Sequence, residues 1–249
     1  MNRLIKLAYQ PYKWIIVIPF MLLNTLISGL VCIIVAFIFK SDAANLVAVT
    51  WARLACYIGP VRVDIKQGKN YKKRTPYVVV ANHQSMVDIP VVLGFMGLNI
   101  KWVMKKELSK VPIFGAACRQ LGCIFVDRSD RSAAIGAIHE AKARLTPTAS
   151  VLFFAEGTRS RNGVLKAFKK GAFIFALETG IPILPITIKD TILALPSDSL
   201  DLEPGTVEII VHPPVHLGPK DRDNLDEIIQ STRNTILSAL PDYTGRLRS

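Results

Sequence analysis

The hydrophobic pattern divides the chain into an apolar N-terminal part and a longer part built of short alternating runs. From Trp14 to Phe39, 26 residues carry no charged side chain. As a straight helix this run would be about 39 Å long, which exceeds the bilayer hydrocarbon core of about 30 Å. A membrane segment is therefore predicted. A cleaved signal peptide is disfavoured, because its apolar stretch would be shorter and end in a small-residue cleavage site.

Two arrangements of this segment remain open. Pro19, the Asn24–Thr25 pair and the Ser28–Gly29 pair interrupt the run, so the chain could bend there. Residues 44–58, in which Arg53 is the only charge, could form a second helix. The pattern therefore allows either a single span or a two-helix hairpin held in one leaflet.

From Val61 onward the pattern is typical of a mixed, largely parallel sheet flanked by helices. Strands are predicted at 61–66, 77–81, 101–104, 123–126, 150–154, 183–188 and 206–212. Amphipathic helices are predicted at 130–145 and 221–240, where apolar residues recur at helical spacing. We expect an α/β domain over residues 59–249, preceded by a membrane-anchoring helical segment over residues 1–58.

Composition adds a partner class to this picture. The net charge is +12, half of the residues are hydrophobic, and the mean hydropathy is +0.32. A phospholipid surface is both anionic and apolar and suits such a chain, whereas no zinc-finger spacing or aromatic-interleaved basic stripe supports nucleic-acid binding. The four cysteines are few and irregularly spaced, which favours a reduced, cytoplasmic setting.

The first candidate site follows the strand 77–81, in the segment Asn82-His83-Gln84-Ser85-Met86-Val87-Asp88. Residues five apart on a regular helix point about 140° from each other, so His83 and Asp88 pair only if His83 lies on the turn before the helix. There Asp88 could fix one imidazole nitrogen and leave the other to take a proton. Alternatively, Asp88 only caps the helix and His83 is an ordinary turn residue.

Two further polar segments follow predicted strands. Phe154-Ala155-Glu156-Gly157-Thr158-Arg159-Ser160 combines a glycine that permits close approach with an arginine suited to phosphate. Glu156 either orients Arg159 or bonds a substrate hydroxyl, and an internal Glu–Arg pair is the alternative. Arg128 and Lys105, each just past a strand, are weaker phosphate candidates.

Together these segments resemble the bacterial 1-acylglycerol-3-phosphate acyltransferases, within the glycerolipid acyltransferase group. The resemblance rests on four ordered blocks within about 105 residues: Asn82, His83, Ser85 and Asp88; Gly122, Ile124, Phe125, Asp127 and Arg128; Phe154, Glu156, Gly157, Thr158, Arg159 and Ser160; and Pro182 to Ile186. One departure is Ala155, where the family usually has proline. That change removes a fixed backbone angle but no chemical group.

The resemblance implies a glycerolipid acyltransferase-like fold that moves a fatty acyl group from coenzyme A or acyl carrier protein to the sn-2 hydroxyl of lysophosphatidate, giving phosphatidate. It further implies that His83 is the general base and Asp88 orients it, with no metal or other cofactor. Arg159 would bind the phosphate, helped by Arg128 and Lys105, with Glu156, Gly157 and Thr158 lining the acceptor site. Ser85 is then a structural hydroxyl. We expect the protein at the cytoplasmic face of the inner membrane.

Other functions stay open at this point. The acceptor could be glycerol-3-phosphate or another lysophospholipid, or the chain could bind anionic lipids without catalysis. A lipid hydrolase is disfavoured because no G-x-S-x-G segment is present. His212 and His216 flank two prolines and lack an acidic or cysteine cluster, so a metal site is not predicted there.

Overall fold

The strands of the α/β part lie where the sequence pattern predicts them. The computed structural model describes residues 3–39, 41–127, 136–137, 140–143 and 145–243. Within these residues the strands are β1 (Val61–Lys66), β2 (Val78–Ala81), β3 (Asn99–Lys105), β4 (Ile124–Val126), β5 (Ala149–Phe154), β6 (Ile183–Lys189) and β7 (Gly205–Val211). The predicted strands are confirmed, with ends that differ by one or two residues.

The strands form one mixed, mostly parallel sheet in the order β1-β7-β6-β2-β5-β3-β4. The five strands β2 to β6 run in the same direction, whereas β7 is antiparallel to β6 and β1 is parallel to β7. The predicted fold class is confirmed. Because β2 lies between β5 and β6, the carboxyl ends of these three strands meet at one edge, where open α/β sheets hold their sites.

Helices cover both faces of the sheet. The helices whose bounds lie within the described residues are α1 (Arg3–Tyr12), α2 (Ile18–Phe39), α3 (Ser41–Ile58), α4 (Asp88–Phe95), α5 (Phe114–Gln120), α6 (Gly171–Thr179), α7 (Thr191–Ala194) and α8 (Leu225–Ser238). The helix predicted at 221–240 is confirmed as α8, after a 3-10 turn at Pro219–Arg222. The helix predicted at 130–145 lies largely outside the described residues.

The period of two along β2 explains how the sheet is covered. Val79 and Ala81 face a core shared with α3 and α4, while Val78 and Val80 face a second core shared with α6 and α8. Since both faces are buried, β2 reads as a continuous apolar run. The N-terminal helices thus share a core with the sheet, and the domain boundary between residues 58 and 59 stays a prediction.

The N-terminal helices form a hairpin. Helices α1 and α2 are continuous through a π-helical turn at Lys13–Val17, and α3 packs antiparallel to α2. The hairpin is held by the Asn24 amide, which donates to the Trp51 carbonyl at 3.1 Å, and by the Trp51 indole, which donates to the Thr25 hydroxyl at 3.0 Å. The polar residues that interrupt the run therefore join the two helices.

Gly29 has a packing role in the same run. A Cβ built on it would lie 2.7 Å from Cγ2 of Ile113, so only glycine allows this side chain to approach α2 so closely. The alternative in which two short helices meet at the Ser28–Gly29 pair is not what the structure has, because α2 continues through this pair.

One face of α2 is apolar and uncovered. Leu22, Leu23, Ile27, Ile34 and Phe37 are each at least half exposed. Among the described residues, one helix, Ala8–Phe39, is long and apolar enough to cross a membrane. This feature weakly suggests membrane association. Whether the hairpin lies in one leaflet or α2 crosses both stays a prediction.

Candidate active site

The site is built on the turn that leaves β2. Asn82 is fully buried, and its amide exchanges two hydrogen bonds with the main chain of Ile188, at 2.9 Å and 2.8 Å. This pairing extends the contact between β2 and β6 past the end of β2. The next residue, His83, therefore lies at the edge of the sheet where β2, β5 and β6 end.

His83 and Asp88 meet as the sequence argument required. His83 lies on the turn and Asp88 is the first residue of α4, with His83 Nδ1 2.7 Å from Asp88 Oδ2. The same Oδ2 accepts the backbone N–H groups of Gln84 and Ser85, at 2.8 Å and 2.9 Å. An oxygen that accepts two N–H groups is an acceptor, so Nδ1 carries the proton and Nε2 keeps a lone pair.

The imidazole is also fixed from its face. The ring of His83 stacks on Phe154 at the end of β5, with centroids 3.7 Å apart and planes within 7°. Asp88 is fully buried, whereas the His83 side chain is 14% exposed. A substrate can therefore reach the imidazole while the carboxylate behind it stays out of water.

Thr191, the first residue of α7, completes the support of Asp88. Its hydroxyl donates a hydrogen bond to Asp88 Oδ1, and both side chains are fully buried. Both carboxylate oxygens of Asp88 are thus occupied by donors, as a buried charge requires. Sequence reasoning missed Thr191, since no local pattern marks a threonine 103 residues away.

Glu156 lies behind the site. One carboxylate oxygen accepts the backbone N–H of His83 at 2.8 Å, and the other accepts the N–H of Lys166 at 3.0 Å. Burial raises the pKa of Glu156, and these two hydrogen bonds oppose the shift. The hypothesis that Glu156 orients Arg159 is wrong, because these hydrogen bonds hold the His83 turn instead. They also leave the proposed contact with a substrate hydroxyl without structural support.

The loop after β5 carries the predicted phosphate ligand. Arg159 is partly buried, and its guanidinium donates to Asp198 at 3.2 Å. Arg161 pairs with the same carboxylate at 2.9 Å but is 83% exposed. The Lys166 ammonium donates to the Thr158 hydroxyl and to the Arg159 carbonyl, at 3.2 Å and 2.8 Å. The sequence analysis did not identify Asp198 or Lys166, because no local pattern distinguishes them from other charged residues of the chain.

Gly157 has a conformation that few other residues adopt. Its φ is +76°, and a Cβ there would lie 2.8 Å from Cε of Lys169. The Lys169 side chain therefore passes close to Gly157, at a position where any residue with a Cβ would collide with it. The expectation that Gly157 lets a ligand approach the backbone closely stays a prediction.

The structure does not support Lys105 as a phosphate ligand and does not describe Arg128, the other weaker candidate. Lys105 is the last residue of β3, two strands from β2, and its ammonium pairs with Glu107 at 3.0 Å on the exposed surface. The structure thus does not bring Lys105 into the group around His83. Arg128 lies outside the described residues.

Two other polar residues have structural partners. The Ser85 hydroxyl donates to the Leu195 carbonyl at 2.7 Å and accepts the Val87 N–H at 3.1 Å, as expected of a structural hydroxyl. His212 Nε2 lies 2.8 Å from the Thr187 hydroxyl, and burial lowers the pKa of His212. His212, which directly follows β7, is thus a buried and hydrogen-bonded residue.

This arrangement can perform general base catalysis. A buried carboxylate holds the imidazole in one tautomer, a phenyl ring and a glutamate fix its position, and Nε2 can accept the proton of an incoming hydroxyl. Arg159 supplies a cation on the neighbouring loop.

Comparison with known proteins agrees with this geometry. Residues 62–189 match the family described as Acyltransferase. The chain is 35% identical over 181 residues to the chloroplastic 1-acyl-sn-glycerol-3-phosphate acyltransferase LPAT1 of Arabidopsis thaliana, covering 72% of this chain and 50% of that protein. It is 31% identical over 189 residues to human 1-acyl-sn-glycerol-3-phosphate acyltransferase alpha, covering 76% and 67%. The chain thus spans about half the length of the plant relative.

A solved structure resembles the whole fold. The crystal structure of the 1-acyl-sn-glycerophosphate acyltransferase PlsC from Thermotoga maritima superposes with a TM-score of 0.74 and 27% identity, covering 95% of both chains. The region that matches the family, residues 62–189, contains β2, β5 and β6 together with the His83 and Asp88 pair. By this family match and by its relatives, the chain belongs to the acyltransferase family.

Proposed function

We propose that the protein transfers a fatty acyl group from a thioester to the sn-2 hydroxyl of 1-acylglycerol-3-phosphate, giving phosphatidate. The observation that carries this proposal is the His83 and Asp88 pair, with Nδ1 engaged at 2.7 Å and Nε2 left to accept a proton. The acceptor class comes from the relatives, which are acyltransferases of 1-acyl-sn-glycerol-3-phosphate.

The reaction balances without a covalent enzyme intermediate. His83 Nε2 takes the proton of the acceptor hydroxyl as its oxygen attacks the thioester carbonyl carbon. The tetrahedral intermediate then expels the thiolate, which receives the proton from the imidazolium. Asp88 remains ionised and stabilises the imidazolium while it exists.

Arg159 is the proposed ligand of the acceptor phosphate. Its planar guanidinium can offer two parallel donors to phosphate oxygens, and it lies on the loop that also supports His83 through Glu156. Its present partner, Asp198, is on the surface, so phosphate can replace that contact at low cost.

The acyl donor is proposed to be acyl-coenzyme A or acyl carrier protein, with no further cofactor. Both donors are anionic, and the chain carries a net charge of +12. The apolar face of α2 is proposed to bind the bilayer at the cytoplasmic side of the inner membrane, so that the acceptor can keep its acyl tail in the lipid.

The test is phosphatidate formation by detergent-purified protein, with the product identified by mass spectrometry. Lysophosphatidate is supplied with a long-chain acyl thioester of coenzyme A or of carrier protein. The wild type should form product and His83→Ala should form none, while lipid binding changes little. Product from His83→Ala would overturn the mechanism, and product only from glycerol-3-phosphate or another lysophospholipid would reassign the acceptor.

A second comparison tests the phosphate ligand. Arg159→Ala should raise KM for lysophosphatidate at least tenfold, since a hydrogen bond between charged groups is worth about 1.5–3 kcal/mol. KM for the donor should stay the same. Arg161→Ala is the matched control, because Arg161 pairs with the same Asp198 but is mostly exposed. Equal effects of the two variants would remove Arg159 from the proposed role.

A further inference from the structure

A buried lysine lies outside the site described above. The side chain of Lys101 in β3 is 4% exposed, and its ammonium has no hydrogen-bond partner among the described residues. The Asp42 carboxylate is 4.0 Å away, and the same oxygen already accepts the Asn99 amide at 2.8 Å. Burial lowers the pKa of Lys101, because the charged form lacks solvation.

Two cysteines lie side by side near this lysine because of how α5 ends. The Cys123 N–H donates to the Cys118 carbonyl at 2.9 Å, and the Gly122 N–H donates to the Arg119 carbonyl at 3.0 Å. Gly122 has a φ of +78°. These bonds define a Schellman motif, whose first and last side chains commonly make an apolar contact. Here both of those positions are cysteines.

The two thiols interact with each other. The interaction between the two side chains is the main reason that the pKa of Cys123 is lowered and that of Cys118 is raised. Cys123 is therefore the thiol of the pair that ionises more readily. The lysine adds to this effect: a Cβ on Gly122 would lie 3.7 Å from Cδ and Cε of Lys101, and the Lys101 charge favours the Cys123 thiolate.

The two cysteine residues differ in exposure. Cys118 is buried, whereas Cys123 is partly exposed. The side of the pair that is open to a small oxidant is therefore that of Cys123, and the Schellman motif places Cys118 next to it. This is the arrangement of an attacking thiolate with a resolving thiol.

We propose that Cys118 and Cys123 form a dithiol site that hydrogen peroxide oxidises reversibly, with Lys101 stabilising the Cys123 thiolate. The thiolate attacks one peroxide oxygen and the O–O bond breaks, which gives the Cys123 sulfenic acid and hydroxide. The Cys118 sulfur then attacks the Cys123 sulfur and displaces water after protonation. In total, two thiols and one peroxide give one disulfide and two waters, and an external dithiol restores the reduced pair.

The sequence makes the test direct. Trypsin cleaves after Lys110, Arg119 and Arg128, so Cys118 is released in peptide 111–119 and Cys123 in peptide 120–128. Folded full-length protein in detergent is treated with hydrogen peroxide, its free thiols are alkylated, and it is then denatured and digested. Mass spectrometry should find the two peptides joined by a disulfide, and dithiothreitol should separate them.

Variants separate this chemistry from non-specific oxidation. In Cys118→Ser, Cys123 should accumulate as a sulfenic acid that dimedone traps. Lys101→Met should slow disulfide formation roughly threefold to tenfold, the change expected for about one pKa unit of the attacking thiol. Cys56, which is 2% exposed in α3, is the internal control and should stay unoxidised.

Asp42→Asn keeps the test decisive if Lys101→Met does not fold. It removes a half-exposed carboxylate whose negative charge raises the pKa of Lys101, so less of the lysine is charged and oxidation should slow, as in Lys101→Met. Faster oxidation in Asp42→Asn than in the wild type, a disulfide from Cys123 to the buried Cys32 of α2, or no joined peptides would each overturn the proposal.

Discussion

The hydroxyl of Thr191 donates a hydrogen bond to Oδ1 of Asp88, although the two residues are 103 positions apart. The other oxygen of Asp88 faces His83 at 2.7 Å. The carboxylate therefore links the start of α7 to the imidazole. The charge of Asp88 and the position in which Thr191 holds its carboxylate can therefore be tested by separate variants.

Removal of the Asp88 charge should decrease kcat. In Asp88→Asn the amide oxygen can replace Oδ2 and keep its three N–H contacts, while the amide nitrogen faces the Thr191 hydroxyl, which can turn to accept it. Geometry is then retained, but nothing neutralises the imidazolium. We expect kcat to fall on the order of 10²–10⁴-fold with little change in KM. A variant with near-normal kcat would show that the Asp88 charge is not used.

Removal of the Thr191 hydroxyl should have a smaller effect of the same kind. Thr191→Val leaves Oδ1 of Asp88 without its donor and lets the carboxylate rotate. We expect kcat to fall about tenfold, which corresponds to about 1.4 kcal/mol. Thr235→Val is the matched control, because the Thr235 hydroxyl makes a solvent-exposed hydrogen bond to the Ser231 carbonyl within α8. A loss of Tm without a loss of kcat would assign Thr191 to stability alone.

The buried carboxyl of Glu156 should make stability depend on pH in a defined direction. Because burial raises the pKa of Glu156 above its value in the unfolded chain, the folded state binds more protons between the two values. The contribution of Glu156 to the stability of the folded state is thus fully present below the pKa that Glu156 has in the unfolded chain. It is lost as the pH rises through the pKa that Glu156 has in the folded protein.

This dependence is measured as Tm from about pH 4 to about pH 8. The Tm of the wild type minus that of Glu156→Gln should decrease as pH rises. At every pH, Glu156→Gln should also be less stable by about 1–3 kcal/mol, because one backbone N–H loses its acceptor. Glu227→Gln, on the exposed face of α8, is the control and should show a constant difference. A difference that grows with pH would contradict the assignment.

The exposed face of α2 should determine membrane binding. Ile27 is 50% exposed, and Ile27→Asp places a charge where the bilayer is proposed to lie. Co-sedimentation with phosphatidylglycerol vesicles should decrease about tenfold or more, since a charge in hydrocarbon costs at least about 2.5 kcal/mol. Leu237→Asp is the matched control, because Leu237 is 42% exposed on α8. Equal losses from both variants would mean that α2 is not the binding face.

Much of the fold was predictable because its signals are local. Short apolar, β-branched runs such as Val78–Ala81 predict strands, and the spacing of apolar residues after Asn224 predicts α8. The pairing of His83 with Asp88 was predictable in the same way, since the end of β2 forces a turn before α4.

The remaining features depend on which distant segments become neighbours. The sequence by itself determined the strands, the apolar N-terminal run and the His83 turn, because each depends on residues a few positions apart. Only the tertiary structure decided that Thr191 supports Asp88, that Phe154 stacks on His83 and that Glu156 holds the turn. These contacts follow from the placement of β2 between β5 and β6, and strand order is set by how both faces of the whole sheet are buried.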